Sequence, residues 1–414
     1  MTMRTNYDVI VIGGGAAGMM AAARAGERGK RVLLLEKNAR LGAKLAISGG
    51  GRCNILNAEE DEHTLLKHYG MSEQFLYSPF SQFGMRAAYG WFEAHDVPLK
   101  VEARKRAFPQ SERAQDVVYA LTRALAVHGV DVRVRAAVLG FAVQDGRIAG
   151  VVVGKEVLSA RSYVLATGGV SHPETGSTGE GFAWLTSLGY AIHTPTPRIV
   201  PLRSPDAWLK PLAGKTLKGA KVTFFADEKR AFSLRGDVLI THFGLSGPLI
   251  LNAAGEVADL LQAGAVRARI DTRPELDLGI FEREITSVFD ASKNKALKNV
   301  FRSVAPAGAA AAILALMPDI DPEKKVHSVT KAERRALAEL LKGLSVRISG
   351  LMGFDRAVVA DGGLSLTDVD TRTMRSRLHP NLHIVGDCLH VSRPSGGYSL
   401  QLAWTTGYVA GSHA

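Results

Sequence analysis

Residues 7–36 read YDVIVIGGGAAGMMAAARAGERGKRVLLLE, and this stretch decides the fold. Asp8 to Ile12 is a short apolar run with β-branched residues, the pattern of a buried parallel strand. It runs into Gly13-Gly14-Gly15-Ala16-Ala17-Gly18, a match to G-x-G-x-x-G, and the alanine-rich stretch Ala16 to Gly29 reads as a helix. A second apolar strand, Arg31 to Leu35, ends on Glu36. Each part suits an adenine dinucleotide. Gly13 permits the tight turn, Gly15 lets backbone approach a pyrophosphate, and Gly18 allows close helix–strand packing. The helix N-terminus offers N–H groups and the positive end of a dipole. Glu36 stands 18 residues after Gly18, where a carboxylate accepts hydrogen bonds from ribose hydroxyls. The two strands and the acid favour this reading over a glycine turn that only packs a helix on a sheet.

Behind Glu36 come Lys37, then Leu41-Gly42-Ala43-Lys44 and Ser48-Gly49-Gly50-Gly51-Arg52-Cys53-Asn54. Glycine weakens both helix and strand, so this run reads as a loop lying against a flat ligand or a phosphate. Lys44 and Arg52 supply charge for a pyrophosphate; a plain surface loop is the alternative. Residues 58–128 read mainly as helices, including Phe83 to His95 and Ala114 to His128. Val130 to Val134 reads as a strand. Val138 to Gln144 and Arg147 to Val153, joined by Asp145-Gly146, carry a hairpin signal. A further strand, Tyr163 to Ala166, enters Thr167-Gly168-Gly169, and Gly176-Ser177-Thr178-Gly179-Glu180-Gly181 opens a helix at Phe182 to Leu188.

Five prolines between His193 and Pro211 mark a boundary. Beyond them Lys221 to Phe225, Arg230 to Leu234 and Val238 to Ile240 read as short antiparallel strands, and Ile280 to Ala315 and Lys331 to Leu341 as helices. Residues 191–350 are therefore expected as an insertion, a small β unit followed by a helical piece. From Val358 the α/β texture returns. The strand Leu382 to Val385 ends in Gly386-Asp387, and Gly396-Gly397-Tyr398-Ser399 opens a last helix to Ala410. An acid at a strand end and a glycine pair at a helix start suit a polyol and the polar edge of a ring.

With 414 residues the chain is expected to hold two or three domains, and 46% hydrophobic residues suffice for a substantial core. No uninterrupted run of about 18 apolar residues predicts a membrane span. Cys53 and Cys388, the two cysteines, make no disulfide framework and fit a reducing cytoplasm. His242 and His390 lack the spacing of metal ligands, so no metal is expected. The formal charge is +11; residues 191–350 hold 24 Lys and Arg against 17 Asp and Glu, a surplus of 7, and the rest a surplus of 4. Such an excess fits a polyanionic partner or simply a soluble face.

GGGAAG at 13–18, SGGGRCN at 48–54, ATGG at 166–169, GSTGEG at 176–181, THFGLSGP at 241–248, TMRSRL at 373–378 and GGYSLQLAW at 396–404 span nearly the whole chain. Together they resemble the two-dinucleotide-binding-domain flavoproteins and, more narrowly, the BaiN/RdsA (YhiN-like, aminoacetone-oxidase-like) family of NAD(P)/FAD-dependent oxidoreductases. The resemblance implies a discontinuous Rossmann-like α/β FAD-binding domain, 1–190 and 351–414. Its interruption would be a small β-barrel of about 191–275 and a helical part of about 276–350.

The resemblance also implies that Gly13, Gly15, Ala16, Ala17 and Gly18 meet the pyrophosphate and Glu36 with Lys37 the adenosine end. Lys44, Ser48, Gly49, Gly50, Gly51, Arg52, Asn54, Ala166, Thr167 and Gly168 would line the cofactor. Gly386-Asp387 would hold the ribityl chain, and Gly396, Gly397, Tyr398 and Ser399 the pyrimidine edge of the flavin. Two positions depart from the family pattern: Asp387 stands where Glu is usual and Ser399 where Asn is usual.

A reduced flavin carries negative charge near N1 and O2, which a helix N-terminus near Gly397 would stabilise by roughly 0.3–2 kcal/mol. Cys53 is a candidate proton donor to a C=C bond, the alternative being a buried residue without chemistry. NADH or NADPH is the expected reductant, and there is no second G-x-G-x-x-G unit for it. The family links imply three activities: uridine reduction to dihydrouridine in large-subunit ribosomal RNA, reduction of steroid-like enones, and oxidation of aminoacetone. The basic insertion favours the first, since RNA binding needs distributed Lys and Arg. A non-catalytic RNA- or protein-binding flavoprotein is the other class.

Overall fold

The computed structural model describes residues 5–414 of the chain, in two compact units: residues up to Pro197 with Val358–Ala414, and Arg198–Ala357. These divisions fall seven residues beyond the 190/191 and 350/351 boundaries expected from composition. The proline-rich segment Ile192–Arg198 itself forms a strand, and it pairs with Val359–Leu364.

The first unit is built on a sheet whose parallel strands run in the order Asp131–Arg133, Val32–Leu35, Thr5–Ile12, Glu156–Leu165, Leu382–Ile384. Val9 to Ile12, Val32 to Leu35 and Tyr163 to Leu165 are all buried, as continuous apolar runs in a sheet covered on both faces should be. Besides Thr5–Ile12, the long strand Glu156–Leu165 serves two further neighbours. Its first half pairs antiparallel with Arg147–Val153, which pairs in turn with Val138–Gln144, and its last three residues pair with Leu382–Ile384. The hairpin turn is Asp145-Gly146 with φ of +51° and +70°, the double left-handed geometry that an Asp-Gly pair supplies.

The first and last helices of this unit, Ala16–Glu27 and Tyr398–His413, meet backbone to backbone. A Cβ on Gly407 would stand 2.4 Å from the Ala17 carbonyl oxygen, and one on Gly411 2.3 Å from that of Ala21. Only glycine permits this approach, and it ties the carboxy-terminal helix to the helix behind the glycine turn.

The second unit corrects the sequence reading in several places. Its sheet follows the order Leu344–Ile348, Val266–Asp271, Thr216–Ala226, Lys229–Thr241, Gly244–Ser246, Leu202–Arg203, Gly350–Leu351. Among the described residues no pairing joins the two end strands, so the expected barrel is not present as a closed sheet. A 16-residue helix, Pro248–Ala263, lies within the part expected to be β. The helix expected over Ile280 to Ala315 is broken into Leu278–Asp290, Leu297–Val300 and Ala310–Leu314. Pro306 and Gly308, at φ +73°, are the breakers before the last piece. The helical part ends at Leu341, and the chain then returns to the sheet at Leu344.

Two stability predictions follow from the first unit. Gly411→Val inserts a Cβ and two methyl groups against the Ala21 carbonyl and should cost roughly 1–3 kcal/mol in denaturant unfolding, Gly407→Val likewise against Ala17. His383, 2% exposed on Leu382–Ile384, donates Nδ1–H to the Thr373 carbonyl at 2.9 Å, and burial holds its pKa down to about 4. The unfolded chain therefore takes up this proton first, so native stability drains away as pH falls from about 6.5 to about 4. The loss is on the order of 3 kcal/mol. Chemical denaturation across that window should show a flatter acid limb for His383→Gln than for the wild type; parallel limbs would refute the assignment.

Candidate functional site

Because the strands Thr5–Ile12, Val32–Leu35, Glu156–Leu165 and Leu382–Ile384 are parallel, their carboxyl ends lie along one edge of the sheet. Gly13–Gly18, Glu36, Ala166-Thr167-Gly168 and Gly386-Asp387 follow those ends directly. A crevice outside the carboxyl ends of an open parallel sheet is where such folds bind ligands.

The glycine turn is built as a phosphate cradle requires. Gly13 has φ +105°, and a Cβ there would lie 2.4 Å from the Ala166 carbonyl oxygen. Gly18 packs on the same turn, its absent Cβ being 1.9 Å from the Gly13 carbonyl oxygen. Gly15, by contrast, faces open space within 4 Å and precedes the helix Ala16–Glu27 without a side-chain cap. That helix N-terminus can take an anion. Glu36 is 8% exposed; its carboxylate accepts from the Gly14 N–H at 2.7 Å and the Asn38 N–H at 2.7 Å. Its remaining lone pairs suit a diol. Lys37 is turned to other work, donating to Thr178 Oγ1 at 2.8 Å and pairing with Glu180 at 2.7 Å.

The glycine-rich loop contains Ala43–Ile47 as one helical turn, followed by Gly49, Gly50 and Gly51, all at positive φ. Positions 50 and 51 have nothing within 4 Å of a Cβ, an open backbone surface. Ser48 spends its hydroxyl on the Leu45 carbonyl at 2.7 Å. Arg52 corrects an expectation: its guanidinium is answered by Glu102 and by Glu112 at 3.2 Å and lies over the Phe108 ring, so it is not a cation held ready for a pyrophosphate. Cys53 is a second correction. It is wholly buried at φ +59°, and burial pushes its thiol up to about 12. A thiol with no exposed surface and so weak an acid is unsuited to hand a proton to a substrate.

Lys44 is different. Its ammonium donates to Ser171 Oγ at 3.3 Å, and burial lowers its pKa, with the Asp387 charge opposing and the Arg393 charge reinforcing that effect. Thr167 and Gly168 line the edge of the sheet beside Cys388, whose thiol approaches Thr167 Oγ1 at 3.5 Å and the Gly168 carbonyl at 3.6 Å.

At the other end, Gly386 takes φ +61° and donates its N–H to Thr406 Oγ1 at 3.0 Å. Gly396 and Gly397 are both left-handed, and a Cβ at Gly397 would sit 2.2 Å from the Leu56 carbonyl carbon. The hydrogen-bond network sets the Asn54 amide so that its oxygen accepts from the Gly397 N–H at 3.0 Å. That N–H was expected to meet a ring edge and is already used. The N–H groups of Tyr398, Ser399 and Leu400 remain as the helix start, since Gly397 brings no capping side chain. Tyr398 is a packing residue, 6% exposed and edge-on to Tyr69 at 5.7 Å, with its phenol pushed up to about 12 by burial.

Sequence reading missed Arg393. Its side chain is 1% exposed, pairs with Asp387, donates Nε–H to Ser399 Oγ at 3.0 Å and Nη1–H to the Val391 carbonyl at 2.5 Å. Nothing in Ser392-Arg393-Pro394-Ser395 separates a buried arginine from the commoner surface one. Among the described residues no cluster of three or more His, Cys, Asp and Glu could hold a metal ion.

The open Gly15 cradle, the Glu36 carboxylate and the carboxy-terminal glycine pair all fit an elongated dinucleotide such as FAD. Glu36→Ala removes the diol acceptor and strands two backbone N–H groups. The affinity of apoprotein for FAD should fall roughly 10- to 100-fold by fluorescence titration. An unchanged constant would remove Glu36 from the site.

A family model described as the HI0933-like protein Rossmann domain matches residues 7–413. The ribosomal RNA dihydrouridine synthase of Escherichia coli strain K12 is 28% identical over 408 residues, covering 97% of this chain and 96% of that protein. The 3-dehydro-bile acid delta(4,6)-reductase of Clostridium scindens is 28% identical over 415 residues, 98% of each. Among solved structures, 3-ketosteroid-delta4-(5alpha)-dehydrogenase from Rhodococcus jostii RHA1, in complex with 4-androstene-3,17-dione, shares the fold with a TM-score of 0.56 at 16% identity, covering 100% of this chain and 97% of that one. The chain belongs to the HI0933-like family, and with it to the FAD-dependent oxidoreductases.

Proposed function

We propose that the protein reduces a C=C bond conjugated to a carbonyl, drawing on NADH or NADPH, and that the bond is the uracil C5=C6 of a uridine in large-subunit ribosomal RNA. When bound, FAD supplies the hydride chemistry. The chain's own residues do the rest. The Gly13–Gly18 turn and the helix start at Ala16 hold the pyrophosphate, Glu36 holds the adenosine ribose, and Gly386-Asp387 holds the ribityl chain. The helix start at Tyr398–Ser399 meets the electron-rich edge of the ring. Lys44, whose ammonium reaches Ser171 Oγ, holds the cofactor's middle.

The observation that carries the substrate is the full-length likeness to a ribosomal RNA dihydrouridine synthase. The charge of the second unit supports it: Arg198–Ala357 holds 25 Lys and Arg against 18 Asp and Glu. Eight of its cations, Arg267, Arg273, Lys298, Lys324, Arg335, Lys342, Arg347 and Arg356, are answered by carboxylates. The hairpin of Thr216–Ala226 and Lys229–Thr241 keeps Lys218, Lys229, Arg230 and Arg235 exposed. Lys221 stands in register opposite Arg235, with Asp271 on its other side already held by Lys342. Like charges facing each other cost stability that a phosphate backbone would restore.

A second reading has its own observation. The bile acid reductase is equally similar, and its name too describes reduction. A flat small molecule would need none of the basic hairpin, so salt separates the two. No helix of the described residues is long and apolar enough to cross a membrane.

Ribosomal RNA from cells lacking the protein should lose a two-hydrogen mass increment on one uridine, restored by the wild-type gene. With purified RNA the activity should fall steeply between 50 and 200 mM salt, by roughly a factor of ten or more for a few phosphate contacts. An intact increment in the deletion strain, together with salt-insensitive enone reduction, would transfer the assignment to a small molecule.

A further inference from the structure

Arg393 is a buried guanidinium with a partner for each of its three nitrogens, as a buried charge requires. Its fork spans Asp387 on one side and Ser399 on the other, with the Val391 carbonyl accepting from the remaining nitrogen. One arginine thus joins the acid that follows the strand Leu382–Ile384 to a hydroxyl in the first turn of the last helix.

Two cations and two carboxylates meet here, and the helix start adds positive charge to one side. Arg393 stands beside the start of the helix Tyr398–His413, the positive end of its dipole, and the Lys44 ammonium is close enough to be depressed by it. Against these stand Asp387 and the more distant Glu174, which is itself held by His172 at 2.8 Å. Ser399 Oγ accepts from Arg393 Nε, so its own proton is left to donate onward, and a hydroxyl polarised by a guanidinium is a stronger donor. A fixed cation, a hydroxyl and a helix start therefore lie together at the carboxy-terminal glycine pair, the end assigned above to the flavin ring.

We infer that Arg393 is a positioning residue that, through Ser399, stabilises negative charge on the bound flavin and so sets its reduction potential. The inference rests on the FAD assignment made above. Reduction by a hydride adds two electrons and one proton, leaving one negative charge on the ring for this arrangement to offset.

The test uses the purified holoenzyme, with sulfite as the probe because it bonds to the oxidised ring and leaves it negatively charged. Ser399→Ala, which keeps the Arg393–Asp387 pair, should retain FAD within a few-fold but weaken sulfite binding about tenfold, matching a two-electron potential ~30 mV more negative. Arg393→Gln should show a larger loss and Arg393→Lys should recover only part of it, because Lys lacks the fork. If Arg393→Gln does not fold, Ser399→Ala decides. Unchanged potential and sulfite affinity in Ser399→Ala, with FAD still bound, would overturn the inference and leave the FAD assignment standing. A folded wild-type protein that refuses FAD would overturn both.

Discussion

Everything at the proposed cofactor site depends on the contact between the first and last helices of the first unit. Gly407 and Gly411 bring the helix Tyr398–His413 against the Ala17 and Ala21 carbonyls at distances no side chain allows. Residues nearly 400 positions apart thereby share one rigid frame. The glycine turn fixes one end of a ligand and the Gly396-Gly397 helix start the other, and their separation is set by packing rather than by a loop. Gly386 belongs to the same frame, since a Cβ there would meet the Ala17 methyl at 3.1 Å and its N–H is held by Thr406 on the last helix.

Glycine here has two uses that the sequence does not distinguish. Gly13, Gly18, Gly397 and Gly407 are glycine because backbone fills the place of a Cβ, whereas Gly15, Gly50 and Gly51 face open space. The first group holds the scaffold together, and the second leaves surface for a ligand. A substitution in the first group acts through stability, and one in the second through binding. Loss of cofactor alone therefore does not say which group has been damaged.

The dinucleotide half of the fold was legible because its signals are local. A strand, a glycine turn, an alanine-rich helix and an acid follow one another in one stretch, and the Asp145-Gly146 hairpin needs only two residues to specify itself. The second unit was less legible because its order is set by distant pairing. The strand Thr216–Ala226 pairs with both Lys229–Thr241 and Val266–Asp271, and the latter pairs with Leu344–Ile348 across the intervening helices. Composition indicated a β unit but neither its path nor the helix Pro248–Ala263. At the site, motif positions were found and partners were not. Arg52 reads as a phosphate cation until Glu102 and Glu112 are seen to claim it, and Cys53 reads as an acid until its burial is seen. A motif names residue types, but charge is settled by neighbours from other elements.

The same reasoning applies to Asp387, whose partner comes from outside the Gly-Asp pair that the sequence singles out. Arg393 pairs with Asp387, and its Nε engages the Ser399 hydroxyl. The guanidinium thereby ties the turn after the strand Leu382–Ile384 to the start of the last helix, and it does so from a position outside every glycine motif.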